Sequence, residues 1–177
     1  MISQRKVVLF IAMSLDGFIA GVEDNLNFLS LVEKEGEDYG YQKFVSTVDT
    51  VIMGRKTFDK VISMVQGNPH QDKKTIVFSR QDIKPVDNEI YYSGLISDLI
   101  SDLKKEKGKT IYCDGGAEIV QELLKNKLID EIIISVVPVL IGDGIRLFKE
   151  DRPEQKLTLF KSTPFDTGLV QLHYKCS

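Results

Sequence analysis

The sequence predicts an α/β fold whose central, mostly parallel sheet carries helices on both faces. Three observations lead there. Along residues 50–137, short runs of β-branched and apolar residues alternate with segments of helical periodicity, the signature of crossover units. The first run, residues 6–12, is apolar without alternation, as a strand buried on both faces requires. The last two runs, 156–162 and 169–174, are parted only by a stretch holding Pro164 and Gly168. They read as an antiparallel hairpin that makes the sheet mixed.

The elements follow in order. Residues 6–12 are the first strand, and Phe18-Ile19-Ala20 extends the chain again after the Asp16-Gly17 turn. Residues 21–40 are polar, with a turn at Asp24-Asn25 and little periodicity. Residues 41–48 read as a helix with Tyr41, Phe44, Val45 and Val48 on one stripe. Strands are expected at 50–53, 74–78, 90–92, 110–113 and 131–137. Helices are expected at 56–63, through Leu95, Ile96, Leu99, Ile100 and Leu103 to an end near Gly108, and at 117–125.

A chain of 177 residues suits one domain over 1–177, at roughly 150 residues per domain. The apolar fraction of 42% with a net charge of only −3 excludes a disordered chain. The same small charge argues against nucleic acid as the main partner, because phosphate contacts need a basic excess. The apolar run 7–13 is far short of the ~20 residues of a spanning helix, so no membrane partner is expected. Asp16 follows it where a leader would need small residues. Cys113 and Cys176 lack metal spacing, and only His70 and His173 are present. No metal site is expected, neither histidine receives a role, and the cytoplasm is the expected compartment.

In open sheets, ligands bind beyond the carboxyl ends of the strands. Gly54-Arg55-Lys56-Thr57 and Asp114-Gly115-Gly116 each stand where a strand gives way to a helix, and Ser79-Arg80 follows a third strand. Glycines there let phosphates approach free amides at the positive end of a helix. Arg55, Lys56 and Arg80 add three cations, and arginine suits a 2′-phosphate. Neither the G-x-G-x-x-G nor the Walker pattern is present.

These residues resemble the dihydrofolate reductase-like superfamily. The segment from Val51 to Phe58 is similar to its V-I-M-G-R-x-T-W, residues 76–80 to the strand and serine that follow, and Leu140-Ile141-Gly142-Asp143-Gly144 to the Gly-Asp segment before its last hairpin. Ser14-Leu15-Asp16-Gly17 and the acid of Asp114-Gly115-Gly116 resemble the riboflavin-biosynthesis reductase branch more closely. The resemblance implies a three-layer α/β/α fold, NADPH as cofactor and a homodimer. It also implies hydride transfer to a small pyrimidine- or pteridine-like heterocycle, similar to 5-amino-6-(5-phosphoribosylamino)uracil reductase. Alternatives are a dihydrofolate reductase and a non-catalytic dinucleotide- or flavin-binding module.

By that resemblance Ala12 and Ile19 flank the nicotinamide, while Gly54, Arg55, Lys56 and Thr57 bind phosphates. Ser79 and Arg80 meet the adenosine end, and Gly115, Gly116, Ala117, Glu118 and Ile119 lie along the pyrophosphate. A reduced C=N or C=O also takes up a proton, which a carboxyl supplies. Asp114 is the first candidate and Asp16 the second; capping and turn formation are the ordinary roles of acids at these places. The chain departs from the riboflavin pattern twice. Phe18 replaces the lysine after S-L-D-G, and residues 62–69 lack the D-P-x-L-x-x-R that helps hold the substrate's ribose phosphate. Glu33 and Glu35 lie near the place of the dihydrofolate reductase acid without matching it securely.

Overall fold

The computed structural model describes residues 5–65, 67–81, 83–85 and 89–177. Strand β1 (Val7–Ser14) runs through the middle of the main sheet. The other strands of that sheet are β3 (Val48–Gly54), β4 (Lys74–Phe78), β5 (Ile90–Tyr92), β6 (Thr110–Gly115), β7 (Glu131–Val137), β9 (Leu157–Pro164) and β10 (Val170–Cys176). Their order is β5-β4-β3-β6-β1-β7-β10-β9. All pairs from β5 to β7 are parallel, and β10 pairs antiparallel with both β7 and β9. The sheet is therefore mixed, as the terminal hairpin predicts.

Alternation along the strands divides the core between two faces. On one, Val7, Leu9, Ile52, Ile111 and Ile132 meet Ile100 and Leu103 of α3 (Ile96–Lys105) and Val120 and Leu123 of α4 (Ala117–Lys125). On the other, Val51, Met53 and Tyr112 meet Phe58 of α2 (Arg55–Val65), with Phe10, Tyr41 and Phe44 packed against them. Phe28, Val32, Val137 and Leu169 form a third cluster. The three layers follow from burying an apolar stripe of each helix against the sheet.

Three local expectations differ from the structure. The helix expected over 41–48 is the short α1 (Tyr41–Val45), because Val48 already belongs to β3 and pairs with Thr110. A buried guanidinium anchors that strand start: Arg5 pairs with Asp49, donates to Thr50 Oγ1 at 2.8 Å and donates to the Lys109 carbonyl at 2.9 Å. The polar stretch 21–40 holds two short 3-10 turns, Val22–Asp24 and Asn27–Val32, and the second buries Phe28 and Val32. Finally, β2 (Phe18–Ala20) pairs with the two-residue β8 (Ile145–Arg146) in a small second sheet. Gly144 makes that pairing possible: its φ is +140°, and a Cβ there would lie 2.2 Å from the Ala20 carbonyl oxygen.

Candidate functional site

The parallel strands deliver their carboxyl ends to one edge of the sheet. Gly54 at the end of β3 pairs with Phe78 at the end of β4, so Arg55 and Ser79 leave from neighbouring places. On the other side Met53 pairs with Gly115 at the end of β6. Helices α2 and α4 start at once from these ends, and their first turns nearly touch. A Cβ on Gly116 would lie 2.9 Å from Thr57 Oγ1, closer than any ordinary side chain allows. Gly116 caps α4 with no side-chain hydrogen bond, and the Gly115–Gly116 peptide is cis. Each helix start carries about half a positive charge on its free amides. Two of them side by side turn their free amides to one place, a cradle made of backbone.

The side chains around the cradle differ in freedom. Arg55 Nε donates to both Asp59 oxygens, at 2.7 and 2.8 Å, and its guanidinium lies 5.9 Å from the centre of the Tyr91 ring. The hydrogen bond it donates to Asp59 raises its pKa further. Lys56 and Arg80 are exposed. Ser79 is buried and exchanges hydrogen bonds of 3.1 Å with the Gln81 backbone. Along α4, Ala117 and Ile119 are buried beneath the cradle and Glu118 faces solvent.

Beside the cradle lies a cleft of about 520 Å³ whose lining includes Phe10, Ala12, Leu29, Val32, Ser135 and Leu169. Gln171 donates to Ser135 Oγ at 3.1 Å and to the Tyr39 carbonyl at 2.9 Å, which leaves the Ser135 proton for the cleft. Glu33, Glu35, Glu37 and Asp38 also line it, against Lys34 as the one cation among the described residues of the lining. Ala12 thus stands in the cleft, whereas Ile19, like Ile11 and Met13, packs against the α3–α4 core.

The two candidate acids sit in different surroundings. Asp114 follows Cys113, the last β6 residue paired with β1, at an irregularity of β6, and its contact with Tyr112 puts it on the sheet face that also carries Phe10. The Tyr112 hydroxyl donates to Asp114 Oδ1 at 2.6 Å and also lies 3.2 Å from the Phe10 carbonyl. Burial, then the Asp114 charge, push Tyr112 well above its ordinary pKa. Burial and the same charge push Tyr41 up to about 12, against a hydrogen bond with Tyr112. Both phenols therefore keep their protons at neutral pH.

Asp16 instead joins two loops. Ser14 Oγ donates to Oδ1 at 2.5 Å, the Ile141 amide to Oδ1 at 3.1 Å, and the Gly142 amide to Oδ2 at 2.8 Å. The Ser14 hydroxyl, ahead of the two amides and against partial burial, lowers its pKa to about 2. Arg146, stacked 4.4 Å from the centre of the Phe18 ring, donates to the Asp16 carbonyl at 3.1 Å.

Sequence reasoning missed two contributions. The stretch 29–39 supplies much of the cleft lining, and its spacing carries no strand or helix signal. His70 is 2% exposed, with Nε2 3.7 Å from Asp114 Oδ2. Only the Gly67-Asn68-Pro69 turn before it hinted at a defined loop. Among the described residues no group of three or more His, Cys, Asp or Glu could hold a metal ion, and no helix is long and apolar enough to cross a membrane.

Comparison with known proteins decides the family. The model of the RibD C-terminal domain matches residues 5–171. The chain belongs to that family. It is 42% identical over 172 residues to the uncharacterized protein YwjB of Bacillus subtilis (strain 168), covering 97% of this chain and 98% of that one. The crystal structure of a putative riboflavin biosynthesis protein from Shewanella sp. PV-4 superposes with a TM-score of 0.89. It is 32% identical and covers 97% of this chain and 99% of its own. Dihydrofolate reductase from Enterococcus faecalis, complexed with NADP(H), shares the fold at a TM-score of 0.68 and 14% identity, with 98% of each chain covered. The three-layer fold expected from the sequence is the one observed.

The Asp16 clamp has a pH signature in this RibD C-terminal domain. Its folded pKa, about 2, lies below the ordinary 3.8, so its contribution is complete above the ordinary value and fades as pH falls through the folded one. Thermal melts of the wild type and Asp16→Asn should differ most above pH ~5, and the gap should close between pH ~4 and ~2. A gap that stays constant over that range would show that the Asp16 charge does not hold the loops.

Proposed function

We propose that this chain is an NADPH-dependent reductase of small heterocycles, similar in reaction to 5-amino-6-(5-phosphoribosylamino)uracil reductase. The observation that carries the reading is the contact of the two helix starts at Gly116 and Thr57, next to an apolar-walled cleft whose Phe10 shares a sheet face with Asp114. Membership of the RibD C-terminal domain family supports it.

The residues fit a dinucleotide diphosphate. The amides following Gly54 and Gly116, with the Thr57 hydroxyl, bind its charged oxygens. Lys56, Arg80 and the outer nitrogens of Arg55 hold the 2′-phosphate end, with Ser79 shaping the turn beneath the adenosine. Gly115 through Ile119 lie along the pyrophosphate, and Ala12 borders the nicotinamide, while Ile19 stays in the α3–α4 core. When bound, the reduced nicotinamide supplies the hydride. The chain's part is to orient the heterocycle against Phe10 and Ala12, to exclude water with Leu29, Val32 and Leu169, and to deliver a proton through Asp114. Asp16 serves by fixing the first loop. A homodimer belongs to the same reading on the resemblance to the riboflavin branch alone, and a cytoplasmic setting on the cysteine usage.

The cleft also bears on the substrate. Four carboxylates against one lysine repel a phosphate arm, and Lys34 lies 3.3 Å from Asp166. The absence of D-P-x-L-x-x-R from residues 62–69 agrees. The substrate is therefore a neutral or amine-bearing heterocycle without a phosphate.

A fluorescence titration should give micromolar NADPH binding and at least ~10-fold weaker NADH binding, the scale of one lost charge-assisted contact pair. Equal or absent binding of both would remove the NADPH assignment. In assays with a ribosylaminopyrimidine and its 5′-phosphate, kcat/KM should favour the unphosphorylated compound by ~10-fold or more, about 1.4 kcal/mol. A preference for the phosphate ester would contradict the reading of the acidic rim.

A further inference from the structure

Behind Asp114 lies a buried group that none of the roles above uses. His70 sits in the loop between α2 and β4, and the loop fixes it firmly. Its amide donates to Asn68 Oδ1 at 2.9 Å, Asn68 Nδ2 donates to Thr75 Oγ1 at 3.2 Å, and Thr75 Oγ1 donates to the His70 carbonyl at 3.4 Å. Asn68 and Thr75 are themselves buried. The imidazole stands edge-on to the Tyr112 ring, with centroids 5.9 Å apart and planes at 87°.

Neither ring nitrogen has a hydrogen-bond partner among the described residues, and both are buried. A buried polar atom without a partner is destabilising, so a rigid loop that holds one in place calls for a reason. Nε2 points at Asp114 Oδ2 from 3.7 Å, just beyond hydrogen-bond length. The Asp114 side chain keeps 20% of its surface exposed while that of His70 keeps 2%. Asp114 thus has one oxygen held by Tyr112 and the other next to the histidine, with part of its side chain open to solvent.

We propose that His70 is a positioning residue that holds and returns the proton of Asp114, so that the two side chains act as one proton-carrying pair behind the cleft. This rests on the reductase reading for its use, although the pair itself does not. When a C=N of the heterocycle gains hydride from the reduced nicotinamide at carbon, its nitrogen needs one proton. Imidazolium Nε2 gives its proton to the Asp114 carboxylate, and the Asp114 O–H bond so formed breaks as the new N–H bond forms, leaving carboxylate and neutral imidazole. The imidazole regains a proton from solvent between turnovers. Tyr112 keeps its own proton and orients the carboxyl through Oδ1.

The charged and titratable groups around His70 are few. From β6 come Asp114 and Tyr112, and from α1 comes Tyr41 beside Tyr112. Its own loop contributes Asp72, whose pKa is lowered chiefly by Lys73 and least by His70, and Lys73, which lies 2.7 Å from Asp72. Asp72 is exposed and already paired, which leaves Asp114 as the dominant neighbour.

The test is an NMR pH titration of the imidazole signals in the protein alone. There are only two histidines, and a His173→Gln variant assigns them; His173 belongs to a separate pair with Glu131 at 2.8 Å. The His70 midpoint should fall by about one pH unit or more in Asp114→Asn, a tenfold loss of proton affinity. In Asp72→Asn it should move by less than half as much. Asp114→Ser gives a second carboxylate-free variant should the first not fold. A His70 midpoint unchanged within about 0.3 unit without the Asp114 carboxylate would overturn the proposal. So would a larger response to Asp72→Asn, or a ring that does not titrate in the wild type. The titration needs neither cofactor nor substrate, so its outcome is separate from that of the NADPH binding experiment.

Discussion

Thr57 Oγ1 occupies the space that a side chain on residue 116 would need. That approach constrains the rest of the molecule. It requires β3 and β6 to be neighbours, which the order β5-β4-β3-β6-β1-β7-β10-β9 provides. It requires both strands to end at the same edge, which their parallel pairing provides. It also requires α2 and α4 to lie on opposite faces while starting side by side, and the two separate core clusters record that division. A parallel sheet with helices on both faces puts helix starts along one edge. Glycine at 116 brings two of them into contact.

The neighbouring cleft draws on different forces. Its walls are apolar side chains from β1 and from the irregular stretch before α1, and its rim is acidic. Field and burial together divide labour between two aspartates. Asp16, held by a hydroxyl and two amides, has its pKa lowered to about 2 and stays ionised, so it fixes loops. Asp114 has a phenol on one oxygen and an imidazole opposite the other, an arrangement able to keep a proton within reach of the cleft.

How much of this was legible in the sequence varies with the physics of each part. The regular strands and helices were, because their periodicities of two and about 3.6 survive in residues such as Ile119, Val120, Leu123 and Leu124. The glycine cradle was legible too, since Gly54 and Gly115-Gly116 mark strand-to-helix transitions directly. The β2–β8 pairing was not: two residues, Ile145 and Arg146, are too few for a pattern. The cleft wall formed by 3-10 turns and loop was hidden because such backbone has no side-chain period. His70 escaped notice because its partner lies 44 positions on, and nothing local announces a contact made across a sheet.

The central claim is that a dinucleotide diphosphate rests on the two adjoining helix starts. Amide chemical-shift mapping of the isotope-labelled protein with NADPH tests it most directly. The account predicts that the largest shifts fall on residues 55–57 and 116–119, with smaller ones near 79–80 and around Ala12. Saturating binding that leaves 55–57 and 116–119 undisturbed and moves other amides instead would contradict it.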